Sequence, residues 1–390
     1  MITLDNILLP TLQERKSNHL WRHTLLREGP QTITQQINGK PYLCFLSNDY
    51  LGLANHPQLI QSLQQAASYY GVGSGASHAI NGHTTAHHQL ETAIAKLTHR
   101  KAALLFSTGF MANLAVITAL SNRQDLLLHD RLNHASLLDG TLLSGATLAR
   151  YRHNDIAHCE QLLIKHQNAR RKFIITDGVF SMDGDIAPLP ELAAIAATHN
   201  AWLIIDDAHG FGVLGEGGGV IEHFGLSDDQ APVVIGTLSK AFGCFGAFVA
   251  GSEALIETCQ QLARPYIYTT ALPPALAAAA LTALEISQQE AWRRQHLQNL
   301  IHYFQAGIKK LGLNVLPSPT PIQPIIVGDN QTAVIWGEAL KARGILVGVI
   351  RSPTVPTGQA RLRISLSAAH NEQHVDQLIE VIAAVRYKSK

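Results

Sequence analysis

Trp202-Leu203-Ile204-Ile205-Asp206-Asp207-Ala208-His209-Gly210 and Thr237-Leu238-Ser239-Lys240-Ala241-Phe242-Gly243, the latter just after the apolar run at 233–235, are the stretches that decide the fold. Each joins a short, continuous apolar run to ionisable residues. Such a run reads as a strand buried on both faces, the pattern of a parallel sheet. An acidic residue at the carboxyl end of that strand stands where open α/β sheets bind their ligands. A lysine in an apolar, glycine-containing setting loses the hydration of its charged form, which favours the nucleophilic amine. Either residue alone is as readily structural; the two together, on successive strands, point to a site.

Outward from this pair the alternation continues. Residues 90–97 predict an amphipathic helix, 102–106 a strand and 112–120 a helix, with further buried strands at 125–128 and 173–176. The fold class is therefore α/β, a mainly parallel sheet covered by helices. Residues 1–27 read as helical, with Leu20, Leu25 and Leu26 on the apolar face, and 42–46 as extended after the turn Gly39-Lys40-Pro41. From about residue 281 a long helix leads to strands near 322–327, 345–349 and 361–365 and a last helix over 372–385. The expected division is an N-terminal segment (1–46), a large domain (47–280) and a small C-terminal α+β domain (281–390).

Composition narrows the function. The 390 residues carry a net charge of +1 and only 15% charged side chains, so neither nucleic acid nor a membrane surface has electrostatic support as a partner. The longest apolar stretch, 271–284, contains Pro273-Pro274 and is too short to span a bilayer. Asp5, Glu14, Arg15 and Lys16 interrupt the opening residues, against a secretory leader. Cys44, Cys159, Cys244 and Cys259 show no Cys-x-x-Cys spacing and read as reduced thiols of a cytoplasmic protein. His83, His87 and His88 have metal-like spacing, yet no acidic residue joins them in a His-Glu-x-x-His pattern; a structural role and no metal are expected.

Gly210-Phe211-Gly212-Val213-Leu214-Gly215 matches the dinucleotide fingerprint Gly-x-Gly-x-x-Gly. In that fold the strand runs straight into the first glycine and the third opens an apolar helix. Here Asp206-Asp207-Ala208-His209 intervenes and Gly217-Gly218-Gly219 follows, so the match is rejected. Gly71-Val72-Gly73-Ser74-Gly75-Ala76 matches a looser form but follows a helix, and is rejected too.

Ser107-Thr108-Gly109-Phe110-Met111-Ala112-Asn113 joins a strand to a helix, and its glycine lets backbone N–H groups approach an anion at the positive helix end. A lysine amine, a carboxylate for a pyridine nitrogen and an anion cradle are what pyridoxal 5'-phosphate requires of a protein. With these residues in place the chain resembles the α-oxoamine synthases, pyridoxal-phosphate enzymes of the type I, aminotransferase-like fold with its mainly parallel seven-stranded sheet. The landmarks include Ser47-Asn48-Asp49-Tyr50-Leu51-Gly52-Leu53, Gly73-Ser74-Gly75, Gly178-Val179-Phe180-Ser181-Met182-Asp183-Gly184 and Arg361-Leu362-Arg363-Ile364-Ser365. They cover residues 47–370, and many relatives have glycine where Ala241 follows the lysine.

The resemblance implies that Lys240 forms the Schiff base, Asp206 meets the pyridine nitrogen and His134 stacks on the ring. It implies that Ser181 and His209 surround the phenolic oxygen, and that Thr237, Gly109 and Phe110 hold the phosphate. Arg363 would pair with the amino-acid carboxylate, and Arg22 and Thr354 would lie near the acyl substrate. Tyr266-Ile267-Tyr268-Thr269-Thr270 resembles a segment that reaches the partner's cofactor phosphate in a homodimer, which makes Thr270 a cofactor residue in trans. Ser77-His78, Gly82-His83 and Pro353-Thr354-Val355-Pro356 are most similar to the members that condense L-alanine with a pimeloyl thioester, on CoA or a carrier protein, in biotin biosynthesis. A glycine-using sibling shares every cofactor residue, and a non-catalytic scaffold on the same fold is the remote alternative.

Overall fold

The computed structural model describes residues 2–18, 20–21 and 23–388, and it holds two sheets. The larger has seven strands in the spatial order Ala102–Phe106, Ala247–Gly251, Val233–Thr237, Trp202–Asp206, Lys172–Asp177, Leu126–Asp130, Thr147–Tyr151. Ala247–Gly251 runs antiparallel to both its neighbours, and every other pairing is parallel. Leu126–Asp130, Val233–Thr237 and Ala247–Gly251 are buried at every position, as a sheet covered on both faces demands.

Two strands of this sheet escape a reading of apolar runs. Thr147–Tyr151 lies at the sheet edge and exposes most of its residues, so its sequence has no continuous apolar run. Ala247–Gly251 is buried, but alanine and glycine carry a weak strand signal.

The second sheet has six strands: Arg27–Glu28, Thr34–Ile37, Lys40–Phe45, Ile345–Ile350, Ala360–Ser365 and Ile322–Gly328. Lys40–Phe45 pairs in parallel with Ile345–Ile350, so both ends of the chain build one layer. We propose the division at residues 46 and 280 with that addition, the N-terminal segment completing the small domain's sheet. The long helix expected from 281 is two helices, Pro274–Gln289 and Trp292–Lys310; Pro274 starts the first, where a missing N–H costs nothing. The opening helix is Leu4–Ser17, shorter than expected. It is capped by Thr3, ends at Asn18, and buries none of its residues; Leu25 and Leu26 lie beyond it and are exposed.

The glycines of the rejected fingerprint serve a different purpose. A Cβ on Gly210 would fall 2.1 Å from Asp207 Oδ1, and one on Gly219 1.9 Å from Asp207 Oδ2. The Gly210–Gly219 turn thus wraps the buried Asp207 carboxylate, which accepts a hydrogen bond from Val220 N at 2.8 Å. Burial pushes that carboxyl well above the usual carboxylate range.

Residues 178–187 project from the large sheet and dock on the small one. Ser318 Oγ and Thr320 Oγ1 both donate to Gly184 O at 2.9 Å, and Gly184 has φ +72°. A Cβ there would sit 2.4 Å from Ile322 O. Gly184→Ala is expected to destabilise the protein by roughly 3 kcal/mol, through left-handed strain and overpacking together. Chemical unfolding of the two forms checks this; a loss under about 1 kcal/mol would mean that the hairpin tolerates the methyl.

Candidate active site

Four parallel strands deliver side chains from their carboxyl ends into one cavity of about 170 Å³. Leu126–Asp130 is followed by His134, Lys172–Asp177 ends in Asp177 and leads to Ser181, Trp202–Asp206 ends in Asp206 and leads to His209, and Val233–Thr237 leads to Ser239 and Lys240. Gly109, Phe110 and Asn113 close it from the first turns of helix Gly109–Leu120. Eight of the residues expected at the cofactor (Lys240, Asp206, His134, His209, Ser181, Thr237, Gly109, Phe110) therefore line a single space.

Adjacent aspartates separate by the alternation of an extended chain. Asp207 turns into the glycine wrap, while Asp206 faces the cavity, its Oδ2 2.6 Å from Asn113 Nδ2 and its Oδ1 accepting from Ala208 N at 3.0 Å. Asn113 also donates to Ser136 Oγ at 2.8 Å, and Ser136 Oγ lies 2.7 Å from His134 Nδ1. A chain of polar contacts thus couples the orientation of the histidine to that of the carboxylate. Asp177 is buried beside Asp206, and burial with Asp206's charge pushes its carboxyl well up. Burial pulls Lys240 below the ordinary lysine value, against the attraction of Asp206 and Asp177. His209 is held well below its usual value by burial and by the charges of Lys240 and Arg363; its Nδ1 is 2.8 Å from Tyr50 Oη.

Arg363 comes from the small sheet and does not line that cavity, though its charge acts on His209 and Lys240. Its Nε donates to Ser181 O at 2.6 Å, its Nη1 to Ser365 Oγ at 2.8 Å and its Nη2 to Asn48 Oδ1 at 3.2 Å. All three acceptors are neutral, so hydrogen bonding positions the guanidinium without cancelling its charge. Arg361, two residues earlier on the same strand, is paired with Asp183 instead. Thr354 lies apart, in a neighbouring cavity of about 90 Å³ that shares only Ser181 with the first. Thr270 is exposed and outside both cavities, and Arg22 lies outside the described residues. Asp177 was not noted in the sequence, and Asn113, Ser239, Asn48 and Tyr50 stood in quoted segments without an assigned role. Asn113 had a usable signal, since four residues after Gly109 it shares that residue's helix face.

The residue set fits pyridoxal phosphate. Thr237 and Ser239 hydroxyls, 2.7 Å apart, line the same cavity as the N-terminus of Gly109–Leu120, where a Cβ on Gly109 would find nothing within 4 Å. That is an open anion cradle of hydroxyls and helix-end N–H groups. Asp206 supplies a fixed carboxylate and Lys240 a buried amine in the same cavity.

His153, unremarked in sequence, holds the Ser181 hairpin in place. Its Nδ1 is 3.0 Å from Asp130 Oδ1, its Nε2 2.9 Å from Asp185 Oδ2, and its ring meets Phe180 edge-on at 4.4 Å. Burial lowers its pKa, but hydrogen bonds and charge from both aspartates outweigh this and raise it to about 10. The protonated form stabilises the fold fully below about pH 6.5, the unfolded value, and that contribution fades as pH rises through the folded value. The stability gap between the wild type and His153→Asn is expected to be widest near pH 6 and to narrow toward pH 10. Thermal unfolding across that range tests it; a gap that widened with pH would contradict a charged clamp.

Fold and site together define a pyridoxal-phosphate-dependent transferase. Residues 40–382 match the family described as aminotransferase class I and II, and the chain belongs to that family. Its cofactor is pyridoxal 5'-phosphate. The protein named 8-amino-7-oxononanoate synthase from Cellvibrio japonicus (strain Ueda107) is 56% identical over 383 residues, covering 98% of this chain and 96% of that one. The crystal structure of 8-amino-7-oxononanoate synthase from Francisella tularensis superposes with a TM-score of 0.78 at 35% identity, over 90% of this chain and 99% of that one. The structure of SPT with PLP internal aldimine reaches a TM-score of 0.94 at 29% identity, over 99% of each chain.

Proposed function

We propose that this chain carries out the reaction for which its 56% identical relatives are named: L-alanine and a pimeloyl thioester are condensed to 8-amino-7-oxononanoate, with release of CO2 and the thiol. The observation that carries the reading is the buried Lys240 amine in one cavity with Asp206, His134 and a phosphate cradle, on a chain so close to those relatives.

Bound pyridoxal phosphate supplies a protonated pyridine ring that delocalises the electron pair left when the amino acid's α-proton is removed. Gly109 and Phe110 backbone N–H groups, with the Thr237 and Ser239 hydroxyls, hold the phosphate. Asp206, oriented by Asn113 and Ala208, keeps the proton on the ring nitrogen. Arg363 receives the carboxylate of alanine through the guanidinium charge that its own partners leave uncancelled. Lys240, neutral more readily because it is buried, takes the α-proton and later returns one. The nucleophilic carbon then attacks the thioester carbonyl, the thiol departs, and the β-keto acid loses CO2. His134 would stack on the ring, Ser181 and His209 would lie by its oxygen, and Arg22 and Thr354 would serve the acyl chain.

Arg363→Lys keeps one charge and loses the bidentate fork. The KM for L-alanine is expected to rise between ~10- and ~100-fold, with a smaller change in kcat. Steady-state kinetics with varied alanine decide it, and an unchanged KM would move the carboxylate elsewhere.

Within this proposal the enzyme is a cytoplasmic homodimer. Tyr268 and Thr270 are exposed, which supports a reach by the end of this segment to a neighbouring copy's phosphate site, while Tyr266 stays buried against His78 and Phe106; all four cysteines are unpaired. Among the described residues no helix is long and apolar enough to cross a membrane. The deciding assay is thiol release from pimeloyl-CoA by the cofactor-loaded protein, with L-alanine and glycine in parallel. Release with alanine and not glycine is expected; release with glycine alone would keep the fold and the lysine and discard the substrate.

A further inference from the structure

The histidines around helix Thr85–Leu97 take no part in the site described above. Of the trio noted in sequence, His87 is spent on its surroundings: its Nδ1 is 3.0 Å from Thr84 N and its Nε2 2.5 Å from Leu272 O. His83 differs. Its Nδ1 is held 3.0 Å from His78 Nδ1, which leaves Nε2 facing Glu91 Oε2 at 3.7 Å. Glu91 is buried, with Oε1 anchored 3.0 Å from Leu105 N, so Oε2 is the oxygen turned toward the histidine. His88 precedes Glu91 by three residues on the same helical face, and the donor atoms of His83, His88 and Glu91 all lie within 4.8 Å of one another.

We propose that His83, His88 and Glu91 bind one divalent transition-metal ion of the zinc or cobalt class. Metal–donor bonds of about 2.0–2.1 Å set neighbouring donors of a tetrahedral ion roughly 3.4 Å apart, so the His83–Glu91 spacing needs only slight closure. Two imidazole nitrogens and one carboxylate oxygen suit zinc, cobalt or nickel, whereas calcium and magnesium require mostly oxygen. Three protein donors leave a position for water. Two of the donors are already aimed, His83 by His78 and Glu91 by the Leu105 amide, which is how outer partners set a metal site. The acidic partner missing from the sequence motif is thus supplied one helical turn later by Glu91. His78 also stacks on Tyr266 with ring centroids 4.8 Å apart, and His87 holds Leu272, so a bound ion would brace both sides of the segment between them.

The test uses the cofactor-loaded protein, stripped with chelator and dialysed against zinc or cobalt(II), with metal counted by elemental analysis. One ion per chain is expected for the wild type. His88→Ala, at an exposed position whose loss leaves the fold intact, and Glu91→Gln are each expected to weaken binding by about tenfold or more. His87→Phe, which removes no donor, is expected to retain the ion. No stoichiometric uptake by the wild type, or uptake unchanged in His88→Ala, would overturn the site.

Discussion

Lys240→Ala is expected to abolish turnover, with kcat reduced by roughly 10^4-fold or more, because the residue is assigned both the covalent hold on the cofactor and the proton transfer. Its amine is buried in the cavity with Asp206 and Asp177, and among the described residues no other lysine lines that space. Borohydride reduction should fix cofactor to the wild type and leave it removable by denaturation from the variant. Circular dichroism separates this result from misfolding. Activity within tenfold of wild type would remove Lys240 from the chemistry, whatever the fold.

Asp206→Asn carries the second large effect. The amide keeps the size of the carboxylate, and its partners Asn113 and Ala208 remain in place, but the charge proposed to face the ring nitrogen is gone. A fixed charge in a buried site contributes far more than one in water, so kcat is expected to fall by about 10^3-fold while cofactor content changes much less. The reading is compromised if the variant stays within tenfold of wild type. It is also compromised if Asp207→Asn proves as damaging to kcat without loss of stability, since Asp207 is turned into the glycine wrap and its loss should act on folding.

Much of this was legible in the chain itself because it depends on local pattern. Short apolar runs ending in Asp206 and before Lys240 announce buried parallel strands, and the Ser107–Asn113 turn announces a helix start that welcomes an anion. The opening helix was overextended, since isolated leucines after Ser17 mimic a periodic face, and the strand at Thr147–Tyr151 was invisible because an edge strand needs no apolar run. Neither error touches the residues that line the cavity around Lys240.

By itself, then, the sequence determined the fold class and marked Lys240 and the strand ends that share its cavity, each through a few consecutive residues. Only the tertiary structure decided the rest. It turned Asp206 toward the cavity and Asp207 into the glycine wrap, gave Arg363 neutral partners while pairing Arg361 with Asp183, and set His153 between Asp130 at a strand end and Asp185 in the 178–187 loop. Those outcomes depend on contacts between residues such as Asn48 and Arg363, 315 positions apart, and no local pattern encodes a partner that only folding brings near.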